Sequence, residues 1–181
     1  REKRYLAARA ALTSGESHHQ TRPFFLALSG AFWELLPPLM ARILGMSSGK
    51  NLTIALYSDD SSVRSSIITA LGRRVSADLP EHKIVEFATG PALRLYLDSK
   101  QSADLFILDG EAVPEGGLGL ARQLKDEVFN CPPVMVITGR KEDAWLAAWS
   151  MAEASVVHPI DPFTLATTAA QLLRGTTLVS A

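Results

Sequence analysis

Cysteine is nearly missing from this chain: Cys131 is the only one. That excludes an internal disulfide and a metal cage built from several thiolates. No charge sign dominates either. Lys and Arg number 18 against 19 Asp and Glu, for a formal net charge of −1. Nucleic acid therefore has no electrostatic claim as a direct partner. Long apolar runs are absent too. A spanning helix needs ~20 mostly apolar residues, but the uncharged stretch from Pro23 to Trp33 stops at Glu34, and Pro37-Pro38 interrupt the apolar residues beyond it. No small-x-small cleavage pattern marks a signal peptide. A membrane association is thus not expected. What remains is an ordinary globular composition, 47% hydrophobic and 20% charged, without an internal repeat. That suits one compact domain with something left over, in a reducing cytoplasm.

Residues 1–49 read as that remainder. The chain starts at Arg1 rather than Met, which suggests a processed, truncated or partial sequence. Met46 is a candidate start, because Ser47-Ser48-Gly49-Lys50 and then a strand come after it. Arg1 to Leu12 is basic and alanine-rich, a candidate short helix, and Ser14 to Pro23 is polar and turn-like. The bland reading, a loosely attached extension or sequence upstream of Met46, is preferred to a membrane anchor. The adjacent His18 and His19 are expected to be solvated, since neighbouring side chains do not converge on a helix or strand.

From Leu52 onward strands and helices alternate. Leu52 to Tyr57 is an apolar strand ending in Ser58-Asp59-Asp60. Val63, Ile67, Ile68 and Leu71 share a helical face. Lys83 to Ala88 is a more polar strand, placed at an edge. A second helix starts near Thr89-Gly90-Pro91 and carries Leu93, Tyr96 and Leu97. Asp104 to Asp109 is the third strand; four apolar residues in a row fit burial on both faces of a sheet. The loop from Gly110 to Gly117 leads to a third helix with Leu118, Ala121, Leu124 and Val128. Val134 to Ile137 is a fourth strand, Glu142 to Glu153 a fourth helix, and Ser155 to Val157 a fifth strand. Leu165, Ala169, Leu172 and Leu173 mark the last helix. The expected fold class is α/β. Serial βα units predict a doubly wound five-stranded parallel sheet with helices on both faces, and the flavodoxin-like order 2-1-3-4-5 is the solution for that count.

The carboxyl ends of the strands collect the chemistry. The first strand offers Asp59 and Asp60, the third Asp109, the fourth Thr138, and the fifth His158 before Pro159. With the first and third strands adjacent, three carboxylates are expected to converge. Clustered like charges repel unless a cation sits among them. Hard oxygen ligands suit Mg²⁺, which usually takes one or two carboxylates plus phosphate oxygens and water. A carboxylate beside that ion can accept a phosphoryl group as an acyl phosphate. The plainer role for Asp59 or Asp60 is to cap the helix starting at Ser61-Ser62, and capping can coexist with metal binding.

The Asp59-Asp60 pair, Asp109, Thr138 and Pro159, in this order and spacing, resemble the receiver domain of response regulators over residues 50–176, with 177–181 left as a tail. Asp109-Gly110-Glu111-Ala112 and Cys131-Pro132-Pro133 resemble the atypical single-domain receivers of actinobacteria in particular. The resemblance implies that Asp109 is the phosphoacceptor. Asp60, Asp109 and the main-chain carbonyl of Glu111 would hold Mg²⁺, with Asp59 helping through water. Thr138 would follow the phosphoryl group. A single-domain response regulator of a two-component phosphorelay would take its phosphoryl group from a sensor histidine kinase or a small phosphodonor. It would not be an enzyme beyond catalysing its own phosphorylation. Its output would pass to a downstream protein or a second copy through the fourth helix, fifth strand and fifth helix.

Two positions depart from the family. His158 replaces the usual lysine, and histidine has a shorter reach and an ordinary pKa near ~6.5. Ser155 replaces the usual aromatic switch residue and has no ring to swing. These departures keep a second reading open, a pseudo-receiver that serves as an interaction module without phosphate. A flavin- or nucleotide-binding flavodoxin-like protein is the third reading, disfavoured because Asp59 and Asp60 would repel phosphate from the first loop. Glu111 and Arg140, each two residues past a strand-end group, are expected to overhang the site, where a salt bridge between them would cover it. Trp145 and Trp149, spaced four apart on the fourth helix, ordinarily mean core packing, with a partner surface as the alternative.

Overall fold

The structure, a computed structural model, describes residues 51–179. The expectations for residues 1–49, including the candidate start at Met46 and the His18-His19 pair, lie outside the described residues.

Among the described residues, β1 (Leu52–Tyr57), β2 (His82–Phe87), β3 (Leu105–Asp109), β4 (Val134–Thr138) and β5 (Ala154–Val157) form one five-stranded sheet in the order 2-1-3-4-5. Every pairing is parallel, which places the carboxyl ends of all strands along one edge. The helices are α1 (Ser61–Leu71), α2 (Gly90–Asp98), α3 (Gly117–Glu127), α4 (Ala144–Trp149) and α5 (Pro162–Val179). This is the expected flavodoxin-like doubly wound arrangement.

Strand alternation sorts the core into two layers. Ile54, Leu56, Leu105, Ile107, Met135 and Ile137 face α1 and α5, where Ile67, Leu71, Leu165, Ala169 and Leu173 meet them. Ala55, Tyr57, Phe106, Leu108, Val134 and Val136 face the other way, toward Leu93 of α2, Leu120 and Leu124 of α3 and Ala147 of α4. Each large side chain buried this way contributes about 1.5–3 kcal/mol. The outer strands tolerate polarity: Lys83 and Glu86 of β2 and Ser155 of β5 are exposed. Among the described residues no helix is long and apolar enough to cross a membrane.

Three expectations are corrected. The fourth helix is shorter than Glu142 to Glu153: a 3-10 turn over Lys141–Asp143 precedes α4, which stops at Trp149. The chain leaves it as Ser150 Oγ donates to Ala147 O at 2.7 Å and Met151 takes φ 60°. Glu153 is recruited elsewhere, accepting from Val134 N at 2.7 Å and pairing with Lys125 of α3. The tryptophans of α4 are not core: Trp145 is 67% and Trp149 54% exposed, because this short helix packs on the sheet through Ala147. Finally, α5 runs to Val179, into the stretch read as a tail.

Candidate functional site

Asp109 ends β3, and everything around it stems from that position. Its neighbours within the strand are fully buried, so the carboxylate is carried to the sheet edge but stays only 3% exposed. A buried carboxylate requires donors. Asp109 Oδ2 accepts from Ser58 Oγ at 2.8 Å, and Oδ1 accepts from Glu111 N at 3.0 Å. His158 Nε2 lies 4.0 Å from Oδ1, with the imidazole partly exposed. Histidine thus reaches the acceptor from the position where the resemblance implies lysine.

The loop after Asp109 needs its glycines. A Cβ on Gly110 would stand 2.6 Å from Ile137 O, and one on Gly117 would stand 2.4 Å from Asp109 O. Both approaches are backbone to backbone, so neither neighbour can give way. They let the loop fold back so that the Glu111 amide covers the carboxylate. The Glu111 side chain then accepts from Gly139 N at 3.2 Å. It makes no ion pair with Arg140, so the expected salt bridge over the site is not formed. The glutamate is satisfied instead by a backbone amide of the loop following β4.

A second set of contacts ties the same loop to α2. Arg94 donates to both Glu115 oxygens, at 2.7 and 2.9 Å, and Tyr57 Oη donates to Glu115 O at 2.5 Å. The guanidinium holds the Glu115 carboxyl below the usual carboxylate range. Burial, then the negative charge of Glu115, push the Tyr57 phenol upward.

Thr138 ends β4 beside Asp109, is 1% exposed, and its carbonyl accepts from His158 N at 2.9 Å. That bond fixes His158 at the end of β5, where Pro159 is joined through a cis peptide. Ser155 sits exposed on β5 and offers no aromatic ring.

In the first loop one of the two acids takes the capping role expected for the pair. Asp60 caps α1, accepting from Ser62 N at 2.7 Å, and the bonds from Ser62 hold its carboxyl below the usual range. Asp59 is exposed beside it. Arg64 of α1 fixes the loop by donating to Ser58 O at 2.7 Å and Asp59 O at 3.2 Å. Among the described residues no three His, Cys, Asp or Glu side chains come together as a metal cage. The expected convergence of three carboxylates is therefore absent as a preformed cluster. The donor set still fits an ion held by one or two carboxylates, a carbonyl and outside oxygens, which is the habit of Mg²⁺.

Ser58 is the residue that sequence reasoning passed over. It is fully buried and is the side chain that actually meets Asp109. A signal was present: Tyr57 pairs with Leu108, so the next residue on each strand, Ser58 and Asp109, must stand level at the sheet edge.

No protein-family model matches the chain. Two proteins from different strains of Mycobacterium tuberculosis, each named an uncharacterized response regulatory protein, are 51% identical to it over 128 residues, 71% of this chain and 96% of theirs. Among solved structures, a CheY-like response regulator receiver domain protein from Methanospirillum hungatei JF-1 has a TM-score of 0.58 at 16% identity, covering 71% of this chain and 98% of that one. The receiver domain of the Francisella response regulator 1452 has a TM-score of 0.59 at 16% identity, covering 70% and 99%. The structural likenesses carry the fold and the mycobacterial relatives carry the family: the chain belongs to the response regulators, and residues 51–179 form a receiver domain of two-component signalling.

Proposed function

We propose that this receiver accepts a phosphoryl group on Asp109 and signals through protein contacts. Receiver domains in general are signalling modules rather than enzymes, bind Mg²⁺ at the phosphorylation site, and work with histidine kinases and downstream partners. The observation that carries the reading here is Asp109 itself, buried at the carboxyl end of β3 with a hydroxyl, an amide and an imidazole turned toward its carboxylate. Burial alone accounts for the hydroxyl and the amide; the imidazole at 4.0 Å, at the position of the family's lysine, is what favours an acceptor role. The donor is a phosphohistidine of a sensor kinase or a small phosphoramidate or acyl phosphate. Its bond to phosphorus breaks as a carboxylate oxygen of Asp109 forms the new P–O bond.

Asp59 or Asp60, Asp109 and the Glu111 carbonyl are the groups that would hold Mg²⁺. When bound, the ion supplies neutralisation of the phosphoryl oxygens. The chain's own residues do the remaining work. Ser58 and the Glu111 amide orient the acceptor, the buried surroundings of Asp109 limit access of water, and Thr138 stands ready at the end of β4 to donate to a phosphoryl oxygen. His158 Nε2 faces Oδ1 of Asp109 from just past the end of β5.

Incubation with acetyl phosphate or phosphoramidate, with and without Mg²⁺, then intact-mass spectrometry, tests the reading. The expected result is a Mg²⁺-dependent gain of one phosphoryl group that disappears in Asp109→Asn. Folded protein that gains nothing would refute it. The second reading, a pseudo-receiver acting without phosphate, draws on the exposed Trp145 and Trp149 and on the replacement of lysine by His158. It would gain from that negative result. In either reading the α4–β5–α5 face is where a downstream protein or a second copy would dock, since aromatic residues favour interface hot spots.

A further inference from the structure

Ser58 Oγ stands between two elements. It accepts from Asp60 N at 3.2 Å and donates to Asp109 Oδ2 at 2.8 Å. A hydroxyl has one proton to give. The other nearby acceptor, Asp60 O, is neutral and farther away at 3.4 Å. The charged carboxylate therefore takes the proton. Ser58 is fully buried, so water does not compete for it.

The consequence concerns rotation of the acceptor. The terminal torsion of an aspartate is broad, and a single donor leaves the two oxygens free to exchange places. Here Oδ2 is tied to Ser58 while Oδ1 is tied to Glu111 N at 3.0 Å. The carboxylate plane is fixed by one donor on each oxygen. Oδ1 is then the oxygen that faces His158, 4.0 Å away.

We propose that Ser58 is a positioning residue for phosphorylation: its buried hydroxyl holds Oδ2 of Asp109 and commits Oδ1 to the incoming phosphoryl group. The proposal rests on the phosphoacceptor reading above. In the step, the P–N bond of a phosphoramidate breaks as the P–Oδ1 bond forms, the nitrogen leaves with a proton from solvent, and Ser58 keeps its own proton throughout.

The test compares wild type, Ser58→Ala and Ser58→Thr as full-length chains. The rate of phosphoryl gain is followed by intact mass across phosphoramidate concentrations at fixed Mg²⁺. In parallel, ¹³C NMR of aspartate-labelled protein without donor or metal reads the Asp109 carboxyl resonance, assigned by its loss in Asp109→Asn. Ser58→Ala should lower the rate at saturating donor on the order of ten- to a hundredfold, the scale of a misplaced reacting group. It should change the half-saturating donor concentration little and move the Asp109 resonance. Ser58→Thr, which keeps the hydroxyl, should restore most of the rate. If Ser58→Ala fails to fold, Ser58→Cys keeps the volume with a weaker donor and is read the same way. A hydroxyl-free variant that matches wild type in rate and resonance would overturn the assignment while the receiver reading stands. Wild type that takes no phosphoryl group would overturn both.

Discussion

Replacing Gly90 by alanine should destabilise the protein in one background and not in another. Gly90 opens α2, and a Cβ there would lie 2.0 Å from Glu115 Oε2 and 2.9 Å from its Cδ. A glutamate side chain can move away, but only by leaving Arg94, to which it is bound at 2.7 and 2.9 Å. Each partner of this pair is 33% exposed, between the surface and the interior. Exposed ion pairs contribute about 0–1 kcal/mol and hydrogen bonds to charged groups about 1.5–3 kcal/mol, so the bidentate pair is worth about 1–2 kcal/mol. Glycine to alanine is favourable by roughly 0.5–1 kcal/mol in a helix interior, but at the first residue of α2, with Pro91 next, the gain falls to about zero to a few tenths of a kcal/mol. Gly90→Ala alone should therefore cost about 1–2 kcal/mol. In a Glu115→Ala background, where the obstruction and the ion pair are both gone, the same change should be neutral or slightly stabilising. Urea denaturation monitored by circular dichroism for the four proteins completes the cycle, and the coupling should be about 1–2 kcal/mol. Equal destabilisation by Gly90→Ala in both backgrounds would refute the argument, because the cost would then lie in the helix start and not in the loop brace.

Three further outcomes are expected. His158→Lys, which places a permanent cation beside Asp109, should speed phosphoryl gain from phosphoramidate by about tenfold if the charge adds ~1.4 kcal/mol to transition-state stabilisation; a rate at or below wild type would show that imidazole is doing something lysine cannot. His82 has both ring nitrogens buried without a well-formed hydrogen bond, and burial lowers its pKa. The unfolded chain then binds this proton more readily than the folded one, so stability falls as pH drops through and below the ordinary histidine range near ~6.5. His82→Leu should flatten that part of a stability–pH curve, and an unchanged slope would assign the acid sensitivity elsewhere. Trp145→Ala should shift stability by no more than about 0.5 kcal/mol in urea denaturation, as exposed side chains do; a loss above about 2 kcal/mol would mean that the indole packs in the fold after all.

The sheet was legible because its central strands are short apolar runs ended by polar residues, and that pattern survives without any knowledge of the fold. Asp60 as a helix cap and Thr89 at the start of α2 were likewise readable, each being a local matter of one side chain and the next turn. What escaped was non-local. The end of α4 depends on Glu153 being taken up by Val134 N and Lys125, contacts across 19 and 28 positions of chain. An alanine-rich segment with two tryptophans gives no hint of which stripe faces the sheet, and it is Ala147 that does. Glu111 and Arg140 were correctly put in neighbouring loops, but the competitor for the glutamate was a backbone amide, which carries no signal in the sequence. Ser58 was hidden by the two acids beside it, whose charges draw attention that the strand register gives to the serine.

The capping role of Asp60 has a thermodynamic consequence for any cation at this site. One carboxylate cannot serve the first turn of α1 and the inner coordination sphere equally well with the same oxygen. An ion that recruits Asp60 Oδ1 does so in competition with the Ser62 amide, while an ion held by Asp59 leaves the cap intact. Metal occupancy and the integrity of the first turn of α1 are therefore linked through the choice between two adjacent aspartates. Unchanged or slowed hydrogen exchange of the Ser62 amide on adding Mg²⁺ would place the ion on Asp59, and accelerated exchange would place it on Asp60.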